Sequence, residues 1–410
     1  MSNVQEIEAP PYSQFGPLGD HLPIKRPVNI IRSDEEAIAE ATRLANIFRK
    51  GAIERDRKRQ LPAEEIELIT QAGLYGISVP KEYGGADVSA FTVGEVFRIL
   101  SAADPSIGQI PQNHFVWLRV LANGKPEQVK YFFERVLHGD RIGNAHSENG
   151  RLRRNDHTHL QERVDGGYLI TGKKYYSTGA IFAQWIPLDT DDPEPSMLFA
   201  RSDAPGLKVL NDWTGMGQRT TGSGTTIFEK VFIPDENIFP MTRKGSGSAH
   251  TGGIIHTAID LGIAEEALAD LKNYIHTQAR PWIENPFDEH AKEPLIIYKF
   301  GELVTLLHTA QALYRRAAEA IDYSRKHPGP DSEIQAQIAG AEARLATGEA
   351  AVRISNELFN LTGARATLEH HGLDRHWRNA RTHTLHDPDR WRMYHIGNYH
   401  LNGVPPKGFH

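Results

Sequence analysis

The segment Pro294-Leu-Ile-Ile-Tyr-Lys-Phe-Gly-Glu-Leu-Val-Thr-Leu-Leu-His-Thr-Ala-Gln-Ala-Leu-Tyr-Arg-Arg-Ala-Ala-Glu-Ala-Ile321 decides the architecture. Within it Ile296, Phe300, Leu303, Leu307, Ala310, Tyr314, Ala317 and Ile321 alternate steps of four and three residues, the single apolar face of a long helix. Lys326-His-Pro-Gly-Pro330 stops that helix, and Ile334, Ile338, Ala341, Leu345 and Val352 restart the spacing on a second one running back. With a third helix around Ala258 to Ala279, most of a four-helix bundle is in place.

Upstream the texture changes. Gly245-Ser-Gly-Ser248 reads as a hinge, and before it short apolar runs such as Tyr168-Leu-Ile170, Met197-Leu-Phe199 and Thr225 to Ile233 are separated by Gly, Asp, Asn and Pro. That is a β domain. Further back, Ser33-Asp-Glu-Glu36 is a capping box for a helix to about Lys50, Pro62 and Gly73 bracket another, and helical patterns continue from Ala90 to His138. The expected fold is therefore α+β: a loose proline-rich arm over residues 1–30, an N-terminal helical domain over 31–140, a central β-barrel or sandwich domain over 141–245, and a C-terminal four-helix bundle over 246–410.

Composition agrees with a folded chain of two or three domains: 410 residues, 39% hydrophobic, 24% charged. A net charge of −6 gives no basis for binding nucleic acid or an anionic membrane, so small molecules or further copies of the chain are the expected partners. Zero cysteines exclude disulfides, thiol nucleophiles and cysteine-ligated metals, and any redox chemistry needs a bound cofactor. The most apolar stretch, Gly252 to Leu271, is interrupted by Asp260, Glu265, Glu266 and Asp270 and is no membrane span; the expectation is a soluble cytoplasmic protein.

Several motifs have bland readings. Gly215-Met-Gly217 lacks the third glycine and the βαβ setting of a dinucleotide site, and neither Ser223 nor Ser246 has hydrolase-elbow spacing. The histidine-rich C-terminal region, including His383-Thr-Leu-His386-Asp387, lacks metal-ligand spacing, so no metal is expected. Arg55-Asp-Arg-Lys-Arg59 reads as a solvated helix end. His114, within Pro111-Gln-Asn-His-Phe-Val-Trp117, is either a satisfied core imidazole or a pocket acid.

The three-part order, together with Ile77-Ser-Val-Pro-Lys-Glu-Tyr-Gly-Gly85, Lys173-Lys-Tyr-Tyr-Ser-Thr-Gly179, Val231-Phe-Ile-Pro234 and Asp374-Arg-His-Trp-Arg-Asn-Ala-Arg381, resembles the acyl-CoA dehydrogenase superfamily over roughly residues 31–400. Ala103-Asp-Pro-Ser-Ile-Gly-Gln109, Gly143-Asn-Ala145, Gly217-Gln-Arg-Thr-Thr-Gly-Ser-Gly-Thr225 and Ala380-Arg-Thr-His-Thr-Leu-His-Asp-Pro388 are similar to its flavin-dependent monooxygenase branch. That branch includes dibenzothiophene monooxygenase and the sulfur-acquisition oxidoreductases of the dimethyl sulfone type.

The resemblance implies a flavin between the β domain and the bundle, in a homotetramer. It implies His114, Ser177 and His386 around flavin and oxygen, with Asn144, Trp213, Ser223 and His383 as flavin or pocket contacts. Asp387 stands where many dehydrogenases carry a catalytic Glu, one methylene shorter, and a base misplaced by about 1 Å can lose on the order of a hundredfold in rate. An imidazole beside the flavin suits oxygen chemistry better, exchanging protons in either direction near neutrality. Arg280-Pro-Trp-Ile283 and Leu361-Thr-Gly-Ala-Arg365 lack the dehydrogenase elements that anchor the adenine half of FAD. FMN is thus favoured over FAD, with Arg280 as a phosphate contact.

The implied activity is that of a two-component monooxygenase. Reduced FMN arrives from a separate NAD(P)H-dependent flavin reductase, no nicotinamide motif being visible here, and one oxygen atom passes from O₂ through a flavin C4a-hydroperoxide to a small organosulfur compound. The alternative is an FAD-dependent acyl-CoA dehydrogenase; a flavin-free helical assembly protein on the same scaffold is a third reading.

Overall fold

Ser33 opens the first helix, its hydroxyl accepting from Glu36 N–H at 3.2 Å, while Glu36 Oε2 accepts from Arg32 N–H at 2.8 Å, one residue earlier than a strict capping box. This computed structural model describes residues 28–147, 159–190, 195–241 and 251–406. The arm expected over 1–30 and the hinge at Gly245–Ser248 lie almost wholly outside the described residues.

The N-terminal region carries α1 (Asp34–Phe48), α2 (Ala52–Lys58), α3 (Ala63–Gln71), α4 (Ala90–Ala103), α5 (Pro105–Gln109), α6 (Gln112–Leu121) and α7 (Pro126–Leu137). The basic run at the end of α2 is not simply solvated. Arg55 is buried, because its guanidinium donates to Asp104 Oδ2 (3.0 Å) and Glu65 Oε1 (2.8 Å), while Asp104 also caps α5 through Ser106 N–H. A buried guanidinium persists only with such partners.

The central region forms two antiparallel sheets. β1 (His159–Val164), β2 (Gly167–Lys174), β6 (Thr226–Pro234) and β5 (Leu207–Val209) lie side by side in that order, and β3 (Trp185–Thr190), β4 (Ser196–Arg201) and β7 (Ile238–Pro240) form the second sheet. Phe132 of α7 packs into the smaller sheet, its ring 4.7 Å from Trp185 and 5.1 Å from Phe239, which fixes the β domain against the first helices.

The C-terminal region holds α8 (Thr251–Thr277), α9 (Pro294–Lys326), α10 (Pro330–Thr362), α11 (Asp374–His383) and α12 (Asp389–Asn402). α8 is central, packed on α9 and α10 and also on α4. Gly262 allows that last approach, since a Cβ there would stand 2.5 Å from the Arg98 carbonyl oxygen. The expected α9 stripe is buried apart from half-buried Phe300. The α10 stripe holds in part: Ile338 and Ala341 are buried, but Ile334, Leu345 and Val352 are only half-buried, and the rest of the buried face is built of Ala336, Ala339, Ala343, Ala350 and Ala351, with Ile354 and Leu358. Small side chains let α10 approach α8 closely, so large apolar residues were the wrong marker. No helix of the described residues is long and apolar enough to cross a membrane.

Candidate active site at the junction of the three regions

After α7 the chain runs alongside β3 in parallel, Gly143 N–H donating to Trp185 O (2.8 Å) and Ala145 N–H to Pro187 O (3.0 Å). This run presents Asn144. After β2 the chain turns through Tyr176, a non-glycine residue at φ +52°, into Ser177, whose N–H donates to Gly224 O at 2.9 Å. The left-handed Tyr176 and a similar Gln218 (φ +50°) both flank this site, as strained backbone at functional positions tends to do.

Between β5 and β6 the loop through Gly217 and Ser223 docks on α11. Gln218 N–H donates to Asn379 Oδ1 (2.7 Å) and Gly217 N–H to Thr382 Oγ1 (3.0 Å), while a Cβ on Gly217 would fall 1.9 Å from Arg378 O. The glycine pair that superficially suggests a nucleotide fingerprint is thus a contact surface for a helix. α11 then ends at His383, and the next turn carries His386 and Asp387.

The expected site residues fall into distinct groups. Ser177 is fully buried with its Oγ unpartnered, and the buried Asn144 Oδ1 is likewise unpartnered, its Nδ2–H making only a long bond of 3.4 Å to Tyr176 O. Orphaned buried polar atoms of this kind are rare in native proteins and call for a partner. They fit the polar rim of a flavin, a group rich in carbonyl and ring-nitrogen atoms. Trp213 forms a wall, edge-on to Tyr176 at 6.2 Å, with its Nε1–H donating to Gln218 O.

Ser223 has hydroxyl partners within its own loop and on the next. Thr221 Oγ1–H donates to Gln218 O, so the 2.7 Å contact of Ser223 with Thr221 uses the Ser223 proton, and Ser223 in turn accepts from Thr178 at 2.7 Å. Its hydroxyl holds the loop and keeps one lone pair for a ligand.

His114 is a core residue rather than a pocket acid. Its Nε2–H donates to Tyr75 O (2.9 Å) and its Nδ1 accepts from Ile142 N–H (3.1 Å), so no ring nitrogen is left for substrate, and burial pushes its pKa down to about 3. Burial likewise lowers His256, His376 and His383. The unfolded chain takes up protons on these imidazoles near pH 6.5 and the folded one only at lower pH, so stability present above pH 6.5 is lost progressively as pH falls below it. Each group contributes a slope of up to about 1.4 kcal/mol per pH unit. The thermal midpoint of the flavin-free protein should fall steadily between pH 7.5 and 5.5; a flat midpoint in calorimetry would mean these rings are charged in the fold.

Arg280 is not with the others. It is exposed just beyond α8, whose last residue, Thr277, stands 21 residues after His256, roughly 32 Å along a helix rising 1.5 Å per residue.

His383 and His386 belong to a cluster that sequence patterns did not reveal. Asp260 accepts from His383 Nδ1–H at 2.5 Å and pairs with Arg344 through its other oxygen. His383 Nε2 meets His256 Nδ1 at 3.0 Å, and the His256 ring lies 4.3 Å from that of His386. His386 is half exposed, with Nδ1 3.1 Å from Asp387 Oδ1, and Asp387 also pairs with Arg392. Although burial opposes its charge, the His386 hydrogen bond and the Arg392 guanidinium hold Asp387 well below the usual carboxylate range. It is a clamped anion, not a base poised to take a proton.

Compared with known proteins, the chain matches the acyl-CoA dehydrogenase N-terminal domain over residues 33–140 and the acyl-CoA dehydrogenase C-terminal domain over residues 254–388. It is 32% identical over 399 residues to a dibenzothiophene monooxygenase of Rhodococcus erythropolis, covering 91% of this chain and 95% of that one. A probable FMNH2-dependent monooxygenase of Pseudomonas putida is 30% identical, with 90% and 96% covered. Among solved structures, FMN-bound TdsC from Paenibacillus sp. A11-2 superimposes with a TM-score of 0.85 at 28% identity, covering 91% of this chain and 99% of that one.

Proposed function

Because the chain belongs to the acyl-CoA dehydrogenase family, with its likeness to monooxygenases running nearly end to end, we propose that it is a reduced-FMN-dependent monooxygenase acting on a small organosulfur compound. A separate NAD(P)H-dependent reductase supplies the reduced flavin, in the cytoplasm. The observation that carries this choice over a dehydrogenase is Asp387: the carboxylate at the dehydrogenase base position is clamped between His386 and Arg392.

Reduced FMN, when bound, supplies two electrons and the site of oxygen activation. The chain's own residues do the rest. Ser177 Oγ and Asn144 Oδ1, both buried and unpartnered, would hold the polar edge of the ring system, and Trp213 with Tyr176 would wall it. Gln109 and Gln112 are buried with unpartnered Oε1 atoms on the α5–α6 turn, whose Ile110 carbonyl lies against Gly179. Their amides suit a polar sulfur substrate. His386, half exposed and oriented by Asp387, can move a proton between solvent and the reacting centre. The apolar packing of Phe115 and Tyr75 on His114 keeps that side dry.

A homotetramer completes this reading. Arg280, exposed beyond the end of α8, can meet a flavin phosphate held by a neighbouring copy, and α12 has no buried residue, leaving Trp391, Met393, Tyr394 and Leu401 for a protomer to cover.

The test supplies reduced FMN, ¹⁸O₂ and a panel of small sulfides and sulfones. One ¹⁸O atom should appear in product, with no flavin reduction by NADH from this protein alone. Absence of oxygenated product, together with bleaching of bound flavin by an acyl-CoA under anaerobic conditions, would establish the dehydrogenase instead. Asp387→Asn should lower turnover by about tenfold, the size of a 1.4 kcal/mol loss, because His386 loses its orienting charge. A dehydrogenase base would be abolished by that change.

A further inference from the structure

Four buried side chains from three helices meet behind His386. His256 and Asp260 stand one turn apart on α8, Arg344 comes from α10 and His383 from the end of α11. Asp260⁻ and Arg344⁺ balance each other, so no imidazole charge is needed there.

With both imidazoles uncharged, the hydrogen bonds then fix every proton. The Asp260 carboxylate can only accept, so His383 carries its proton on Nδ1 and has a bare Nε2. That lone pair faces His256 Nδ1 at 3.0 Å, and two lone pairs cannot face each other, so His256 is protonated on Nδ1. Its Nε2 is therefore bare, on the ring that abuts His386.

We propose that the chain Arg344–Asp260–His383–His256 is a tautomer lock that presents His256 Nε2 as an uncharged proton acceptor beside His386. His386, open to solvent on its outer side, exchanges protons with water. His256 stands on its inner side and can take one proton on Nε2 while passing its Nδ1 proton to His383 Nε2, the added charge facing Asp260. The same proton returns by the reverse path, so the relay is unchanged over a turnover. The charged and titratable groups that face this pair are Asp260, Arg344, Arg392, Asp387 and Asp389. Burial lowers both inner imidazoles, which keeps them neutral between visits of the proton. His256 is a positioning residue, acting through His386. The lock stands on the hydrogen bonds and on the Asp260–Arg344 charge balance, whereas its use in oxygen transfer rests on the function proposed above.

The experiment is long-range ¹H–¹⁵N correlation on the full, flavin-free chain labelled with ¹⁵N-histidine, titrated from pH 8 to 6. His256 and His383 should each show protonated Nδ1 with bare Nε2 and stay neutral. In His383→Phe, His256 should become a mixture of tautomers. His256→Asn keeps a donor toward His383 and removes the Nε2 position; its thermal midpoint should stay near the parent value while coupled oxygen transfer from reduced FMN falls on the order of tenfold or more. A native His256 protonated on Nε2, or His256→Asn with unchanged coupling, overturns the proposal. A confirmed lock in a protein that oxygenates no sulfur compound would overturn the function and with it the relay's use, leaving the tautomers intact.

Discussion

Arg344→Met is expected to lower the stability of the fold by about 3–5 kcal/mol, the usual effect of removing one partner from a buried ion pair. The Arg344 side chain is 2% exposed and its partner Asp260 0%, so neither water nor another cation stands ready to replace the guanidinium. Arg344 also donates to His256 O (3.1 Å) and His383 O (3.2 Å), tying α10 to α8 and to the end of α11. A cation at a helix C-terminus adds to the effect. The loss should depend on pH with a definite sign. With Arg344 gone, His383 is the only group left to neutralise Asp260, and its pKa rises from the depressed native setting. Protonation then favours the variant's fold where it disfavours the parent's, so the gap between the two narrows as pH falls from 8 to 6. Asp260→Leu combined with Arg344→Met should recover part of the loss, since a buried pair is often replaceable by apolar groups. Chemical unfolding at the two pH values checks both statements. A gap that widens on acidification would mean that His383 does not answer to Asp260.

The long helices were legible because periodicity is a local property: the α9 stripe needs only one apolar face turned to a neighbour. α10 shows where that logic stops. Packed on α8 across one face and touching α9, α11 and α12 on others, it buries alanines together with Arg344, Thr347 and Ser355, which a search for large apolar residues passes over. The order of the three regions was equally readable from the change of texture along the chain, whereas Ser177, Asn144 and Trp213 were singled out only through the resemblance of the short motifs that carry them.

The interior cluster was not. His256 and Asp260 lie in a run from Ile254 to Ala264 that is otherwise uncharged, and in the sequence Asp260 serves only to exclude a membrane span. The signal was present, because a carboxylate four residues after an imidazole in an apolar helix needs a partner. What the sequence withheld was the partner, which lies 84 residues away on another helix. Arg280 shows a different limit. A phosphate-binding residue type can be recognised by resemblance, but the length of α8, which separates it from His256, is a fact of three dimensions.

His386→Ala carries the largest expected effect on catalysis. The side chain is 52% exposed and its one hydrogen bond is to Asp387, which keeps Arg392 as a partner when the imidazole is removed. Stability should therefore change by no more than about 0.5 kcal/mol, the range of surface substitutions. FMN affinity should change little too, since Ser177 and Asn144 lie on the β-domain side. Turnover has no such shelter. Acid–base assistance is worth about 10² to 10⁴ in rate, and of the two histidines of the expected C-terminal pair only His386 reaches solvent, His383 being closed in by Asp260 and His256. A fall in that range, with oxygen diverted to hydrogen peroxide while the thermal midpoint and flavin affinity hold, is the expected result. Equal losses of activity, flavin binding and stability would instead make His386 part of the packing between α11 and α8. His386→Gln sharpens the contrast, because an amide can keep a hydrogen bond to Asp387 but cannot carry a proton near neutral pH. It should be as inactive as the alanine variant, and recovery by glutamine would show that His386 orients rather than transfers.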